Sequence, residues 1–298
     1  MQIKTVRNNI KNKMEEWLLT ITDEKLRKNV RNNLLVSGGS IVSMLLKEDV
    51  NDYDVYIKDM DVLLDLAKYY TKPYASIIVL DGRKKEEYIL NTHSQGIYKI
   101  AIDNLKPDQI KLFFAGKTGG FSVDKNYVNK DNPNYVPLFF SPNAISLSNK
   151  IQIVLRFHGK ADEIHETFDF IHATNYFTYA EGLVTNKEAL ESIITKQLKY
   201  QGSLYPLTSI IRMKKFIKRG WNINAGEILK IMFQISELNL HNYNILEEQL
   251  IGIDVAYFSM LISILRNSTP EKITSSYLNT IIDRVFNDFE ETNINEVT

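Results

Sequence analysis

At 298 residues, with 44% hydrophobic and 24% charged residues, the chain is long enough to bury one large core or two ordinary ones. Lys and Arg together number 36 and so do Asp and Glu, so no bulk basicity advertises nucleic acid, and any such contact must come from a local patch. Cysteine is absent, which excludes disulfides and thiolate metal sites and fits a reducing, cytoplasmic compartment (the host cytoplasm, for a phage-encoded chain).

The N-terminal stretch MQIKTVRNNIKNKMEEWLL lacks the apolar core and small-residue cleavage site of a secretory signal. No apolar run reaches the roughly 18 residues of a membrane span, so no membrane partner is expected. Ile10, Met14, Trp17 and Leu18 recur at helical spacing, and Thr22 or Asp23 is placed to cap a second helix. Leu34 to Ser37 reads as a short buried strand and Ile41 to Lys47 as a short helix. Asp52 to Ile57 alternates polar and apolar residues as a half-buried strand does. Asp61 to Tyr70 is helical again.

From Ser76 to about Phe157 the pattern is β. SIIVLDG, EEYILNT, GIYKIAI, IKLFFAG, AISLSN and IQIVLRF are strand-like pieces separated by turn residues, with a long loop at KTGGFSVDKNYVNKDNPNYVP. From about Phe177 the period changes to 3.6 residues, which predicts helices near 186–199, 206–219, 224–237, 244–251, 254–266 and 274–289. No internal repeat is visible. The expected architecture is α+β: an α/β domain over 1–175, with an inserted β-rich region at about 72–157, followed by an all-helical domain over 176–298.

The stretch LLVSGGSIVSMLLKEDVNDYDVYIKD carries the chemistry. A glycine pair between a strand and a helix lets backbone approach a ligand, and the helix start offers free N–H groups to a phosphate. Ser40 adds a hydroxyl beside Gly38 and Gly39. Asp52 and Asp54 stand at i and i+2, so both carboxylates leave one face of a strand, where they repel unless a divalent cation sits between them. Tyr53 and Val55 then point into the core. Two readings stand: a phosphate seat beside a metal site, or a tight turn followed by a solvated strand. The ordered combination of strand, Gly-Gly-Ser, helix and apolar-flanked Asp-x-Asp is sharper than either motif alone.

That combination resembles the DNA polymerase β-like nucleotidyltransferase superfamily. GGSIVSMLL, TFDFIHAT and YPLTSIIRMKKFIKRGWNIN are similar to segments of its class II branch, the tRNA CCA-adding enzymes and poly(A) polymerases. Val42-Ser43 and Thr167-Phe168 stand where that branch carries Arg-Asp and paired arginines. The resemblance implies a palm-like mixed sheet flanked by helices and a transfer of NMP from an NTP to an acceptor hydroxyl, an RNA 3′ end foremost. It implies Mg²⁺ or Mn²⁺ held by Asp52, Asp54 and a third carboxylate. Asp169 is the choice for the third, because an apolar-Asp-apolar triplet aims one carboxylate off a buried strand; Asp162, Glu163 and Glu166 lie in a polar loop nearby.

Arg212, Lys215 and Arg219 share one face of the helix expected over 206–219. They are either a solvated helix face or a seat for a triphosphate or nucleic-acid backbone; the resemblance aligns Arg212 with a nucleotide-facing helix. AGKTGG, from Ala115 to Gly120, looks like a P-loop but has Lys111 where its first glycine belongs, and reads as a turn. His158, His165 and His172 have neither helical i,i+4 nor strand i,i+2 spacing and read as structural or surface residues. The rival to the enzyme is a non-catalytic member of the fold, or one that modifies a protein or small molecule, as a phage structural or accessory protein.

Overall fold

The computed structural model describes residues 2–80, 97–103, 109–114, 120–123, 134–250, 274–280 and 283. The chain divides into two compact units, Met1–Thr195 and Lys196–Thr298. The first unit extends beyond the boundary expected after residue 175. Residues 176–184 pair onto the main sheet rather than opening a helical domain.

Helix α1 (Ile3–Leu18) buries Val6, Ile10, Met14, Trp17 and Leu18, one stripe at 3–4 spacing. The Asp23 side chain accepts from the Leu26 N–H and starts α2 (Glu24–Asn33). Strand β1 (Leu34–Ser37) follows without a break, then α3 (Gly39–Leu46), β2 (Tyr53–Ile57) and α4 (Met60–Thr71), which is capped by Asp59 through the Val62 N–H. Strands β3 (Ala75–Leu80), β4 (Ile97–Asp103) and β5 (Gln109–Phe114) form a separate three-stranded sheet.

The remaining strands of the first unit are β6 (Phe121–Ser122), β7 (Pro137–Phe140), β8 (Ala144–Leu147), β9 (Ile151–Val154), β10 (Tyr176–Thr178) and β11 (Gly182–Val184). Among the described residues they join β1 and β2 in one mixed sheet of order β11-β10-β1-β2-β9-β8-β7-β6. Among the described residues of this sheet only the β2–β9 pair is parallel. The fold class is therefore α+β, a mixed sheet with helices, as expected. Strands β7–β9, which fall in the region read as an insertion, are integral to this sheet. EEYILNT, most of AGKTGG and the helix expected over 254–266 lie outside the described residues.

The sheet has unlike faces. Leu34, Val36, Val55, Ile57, Ile151 and Ile153 lie in the same apolar core as Trp17, Leu63 and Leu66 from the helices. The opposite face holds a smaller cluster of Leu35, Tyr56, Val154 and Ile164, the last from the short helix α5 (Ala161–His165). A 3-10 turn, Ile171–Ala173, and helix α6 (Lys187–Thr195) pack beside α3.

In the second unit α7 (Pro206–Lys218) packs on α8 (Ala225–Ser236) and α9 (Tyr243–Leu250). Pro206 opens α7 at the position where a missing N–H costs nothing. The Thr208 hydroxyl donates to the Gln249 carbonyl at 2.7 Å and ties α7 to α9. Trp221 and Ile231 are buried there. Residues 275–280 are helical within the last expected helix.

Candidate functional site

All four residues of β1 are buried, and the strand ends at Gly38, whose φ of +91° and ψ of −151° lie where L side chains rarely go. The Gly38 N–H donates to the Ala173 carbonyl at 3.1 Å, which ties the turn to the 3-10 turn. A Cβ built on Gly38 would stand 3.1 Å from Asp54 Oδ2. The absent side chain is what brings the Asp54 carboxylate against the turn.

Gly39 is exposed and begins α3, with no atom within 4 Å of where its Cβ would be. Gly38 supplies no side-chain cap, so the first N–H groups of α3 keep their capacity to bind an anion. Ser40 is only 2% exposed, and its hydroxyl has no hydrogen-bond partner among the described residues. A buried orphan hydroxyl is costly, and this one stands in the first turn of α3.

Register sets the rest. Tyr176, Ser37, Asp54 and Gln152 stand directly opposite one another across β10, β1, β2 and β9, so they form one polar row on one face. One step deeper, Leu35 and Tyr56 form the apolar floor, and Phe168 tilts over Tyr56 with ring centroids 6.0 Å apart. Asp52 is exposed and lies just before β2 rather than within it, two residues from Asp54. Lys150 Nζ donates to the Val50 carbonyl at 2.7 Å, holding the loop that leads into Asp52.

Asp169 is 7% exposed but sits in a bend between α5 and the 3-10 turn, not on a strand as expected. The Thr167 hydroxyl donates to the Ile164 carbonyl at 2.7 Å in the turn that ends α5, and the chain coils again at Ile171 before it can extend. Glu163 is engaged locally: its Oε2 accepts the Lys160 N–H at 2.6 Å.

Two residues outside the candidate site, Ser37 and the histidine read as structural or surface, His165, belong to this neighbourhood. Ser37 Oγ lies 2.9 Å from His165 Nε2, and burial lowers the pKa of that imidazole to about 4 against the opposing pull of Asp162. A serine closing an otherwise apolar strand was the only available signal. Nothing in the sequence pairs it with a histidine 128 positions away.

Among the described residues no three His, Cys, Asp or Glu side chains gather into a metal-holding group. Asp52 and Asp54 fit a hard divalent cation in a different way. They supply two carboxylates, and Mg²⁺ completes its shell with water and substrate phosphates. The cradle at Gly38 keeps one of these carboxylates at the glycine turn.

Arg212 is half-buried on α7, while Lys215 and Arg219 are exposed. The Arg219 guanidinium lies 5.7 Å from the Phe216 ring centroid. Residues 196–230 hold eight Lys or Arg and a single Glu, a basic run in a chain without net charge. These residues belong to the second unit, and Gly38, Asp54 and Asp169 to the first.

The family model described as Gabija anti-defense 2 family protein matches residues 8–196. The chain belongs to that family. Gabija anti-defense 2 of Bacillus phage SPbetaL7 is 24% identical over 246 residues, covering 82% of this chain and 46% of the phage protein. The chain thus spans about half the length of this curated relative.

Similar solved structures include the Thermotoga maritima CCA-adding enzyme complexed with tRNA, at 12% identity and a TM-score of 0.39 over 83% of this chain and 52% of that one. Another is the Bacillus stearothermophilus CCA-adding enzyme in complex with CTP, at 12% identity and a TM-score of 0.39 over 84% and 51%. No helix among the described residues is long and apolar enough to cross a membrane.

Proposed function

We propose that this chain is a metal-dependent nucleotidyltransferase that moves NMP from an NTP to an acceptor hydroxyl, in the service of the anti-defense role its family is named for. The observation that carries the reading is the contact of Gly38 with Asp54. The glycine turn that starts α3 and the Asp54 carboxylate share one spot.

In this reading the N–H groups at the start of α3 and the Ser40 hydroxyl take phosphate oxygens, and Asp52 and Asp54 hold Mg²⁺ or Mn²⁺. When bound, the cation supplies Lewis-acid polarisation of the α-phosphate and neutralises charge on the leaving group. The acceptor oxygen bonds to the α-phosphorus as the bond to the bridging oxygen breaks, and pyrophosphate leaves with that electron pair. Asp169 is the third carboxylate, receiving the acceptor proton or completing the cation's shell. Arg212, Lys215 and Arg219, on the second unit, meet a nucleic-acid backbone, and the first acceptor class is an RNA 3′ end.

The test offers each α-labelled NTP with Mg²⁺ or Mn²⁺ to total RNA and, separately, to host proteins. Label in RNA supports the reading and its acceptor. Label in a protein keeps the transferase and changes the acceptor, and no label in either pool overturns it.

Family membership favours a second reading, in which the fold acts against Gabija by binding alone. A variant with Asp52 and Asp54 both replaced by Ala separates the two in a phage-plating assay on Gabija-bearing cells. Retained protection supports binding, and lost protection by a folded variant supports catalysis.

A further inference from the structure

We propose that Ser37 and His165 are a positioning pair that fixes the glycine turn against Asp54, with the imidazole donating its Nε2–H to the serine hydroxyl. The inference deepens the transferase reading above and rests on it for its kinetic consequence. Its structural part is tested independently.

Proton counting gives the direction of the bond. Ser37 is fully buried, and its Oγ lies 2.9 Å from the Asn175 carbonyl, 3.2 Å from the Ala173 carbonyl and 2.9 Å from His165 Nε2. A hydroxyl has one proton to give, and carbonyl oxygens only accept. The serine proton therefore goes to a carbonyl, so Nε2 must carry the hydrogen on the third contact. The ring that does this is neutral at physiological pH, because burial holds its pKa down. The Phe168 and Tyr176 rings flank it, with centroids at 5.2 and 5.7 Å.

Connectivity gives the pair its purpose. The Ala173 carbonyl also accepts the Gly38 N–H, so the chain His165, Ser37, Ala173, Gly38 runs from α5 to the turn. Ser37 is at the same time the register partner of Asp54 on β2. A displaced hydroxyl shifts both the turn that receives phosphate and the strand that presents the carboxylate. An apolar residue at 37 would pack as well in the strand but would take the donor from a carbonyl and the acceptor from the imidazole. The surroundings of Asn175 agree with a fixed segment, since its side-chain oxygen accepts the Asn186 N–H at 2.9 Å.

The test compares His165→Gln, which places an amide N–H near the former Nε2, with His165→Phe, which fills the volume without a donor. Expected for His165→Phe is a melting temperature near wild type, an NTP transfer kcat lower by about tenfold or more, and a raised KM for NTP. His165→Gln should recover most of the loss. Exchange of the Gly38 amide, read by NMR without any turnover, should quicken in His165→Phe and stay near wild type in His165→Gln. Equal exchange and equal transfer in both variants overturn the pair, and so does a His165→Gln variant as impaired as His165→Phe. If the wild type transfers nothing while Gly38 exchange follows the expected order, the transferase reading fails and the pair stands as a lock on the turn.

Discussion

The two faces of β2 divide the labour of the first unit. Tyr53, Val55 and Ile57 face a core that also holds Met14, Trp17, Leu63 and Tyr70. Asp54 and Tyr56 face a shallow cluster roofed by α5, where polar groups stand in register across four strands. One parity of a five-residue strand secures the fold, and the other carries the Asp54 carboxylate beside the glycine turn. A slip of a single residue would exchange them, burying the carboxylate in hydrocarbon, so the thick core is also what holds Asp54 at the turn.

The comparison predicts that substitutions on the two faces separate stability from activity, and their effects on folding can be ranked. The largest belongs to Trp17, which is fully buried and donates from Nε1 to the Tyr70 hydroxyl at 2.8 Å. Trp17→Ala should cost about 3–5 kcal/mol in denaturant melts, yet leave nucleotide affinity per folded molecule unchanged. An equal loss of affinity among folded molecules would break the division.

Gly38→Ala comes next, because it meets both obstacles at once: a φ of +91° and Asp54 Oδ2 at 3.1 Å. The expected cost is about 1–3 kcal/mol. NTP transfer should fall by more than that loss of folded protein explains, since the methyl group displaces the carboxylate from the turn. A stable Gly38→Ala variant with full transfer would separate the turn from the chemistry.

A smaller effect on folding comes from His165 and depends on pH. Its folded pKa is lowered from 6.5 to about 4, chiefly by burial and against the raising effect of Asp162. The unfolded imidazole takes up a proton near pH 6.5 and the folded one only near pH 4, so the unfolded state binds more protons in that window. Stability is fully present above about pH 6.5 and declines as pH falls towards 4. His165→Phe should flatten this part of the melting-temperature profile. Asp162, Ser37 and Tyr176 stay in place around the substituted ring. An unchanged slope would place the titration elsewhere.

The core face was legible in the sequence because period and burial coincide there. Ile10, Met14, Trp17 and Leu18 mark α1, and Val55 and Ile57 mark the buried side of β2. The glycine turn was legible for a similar reason, since an unusual backbone needs an unusual residue. Asp169 was less so: its triplet Phe168-Asp169-Phe170 alternates like a strand, but the turn after Ile164 and the coil at Ile171 leave no length to extend. The partners of Ser37 were not legible at all, because α5 and β1 are joined only by the way the chain returns over the sheet. The same holds for β10 and β11. They read as the approach to a helical domain, but Phe177 pairs with Val36 and fills the core of the first unit.

The smallest effect on folding and the largest on chemistry should meet in Asp52 and Asp54. Asp52 is exposed and Asp54 half-buried, so replacing both by Ala removes little apolar contact. The cost should lie within about 1 kcal/mol, as for most substitutions away from the core. Removing two like charges two residues apart also relieves the repulsion between them, which offsets part of that cost. Transfer should nevertheless disappear, because two carboxylates that hold one cation act as a unit. Asp169→Ala should lose activity by orders of magnitude while nucleotide still binds through the turn. Melts with and without Mg²⁺ and NTP, run beside labelled-NTP incorporation, read both quantities. The wild type should gain melting temperature from Mg²⁺ and NTP together, and the double variant should gain none from Mg²⁺. Transfer that survives the double substitution would remove these carboxylates from the chemistry and leave the polar face of β2 a solvated edge after all. Normal transfer by Asp169→Ala would pass the third role to Glu166, since Glu163 is held by the Lys160 N–H.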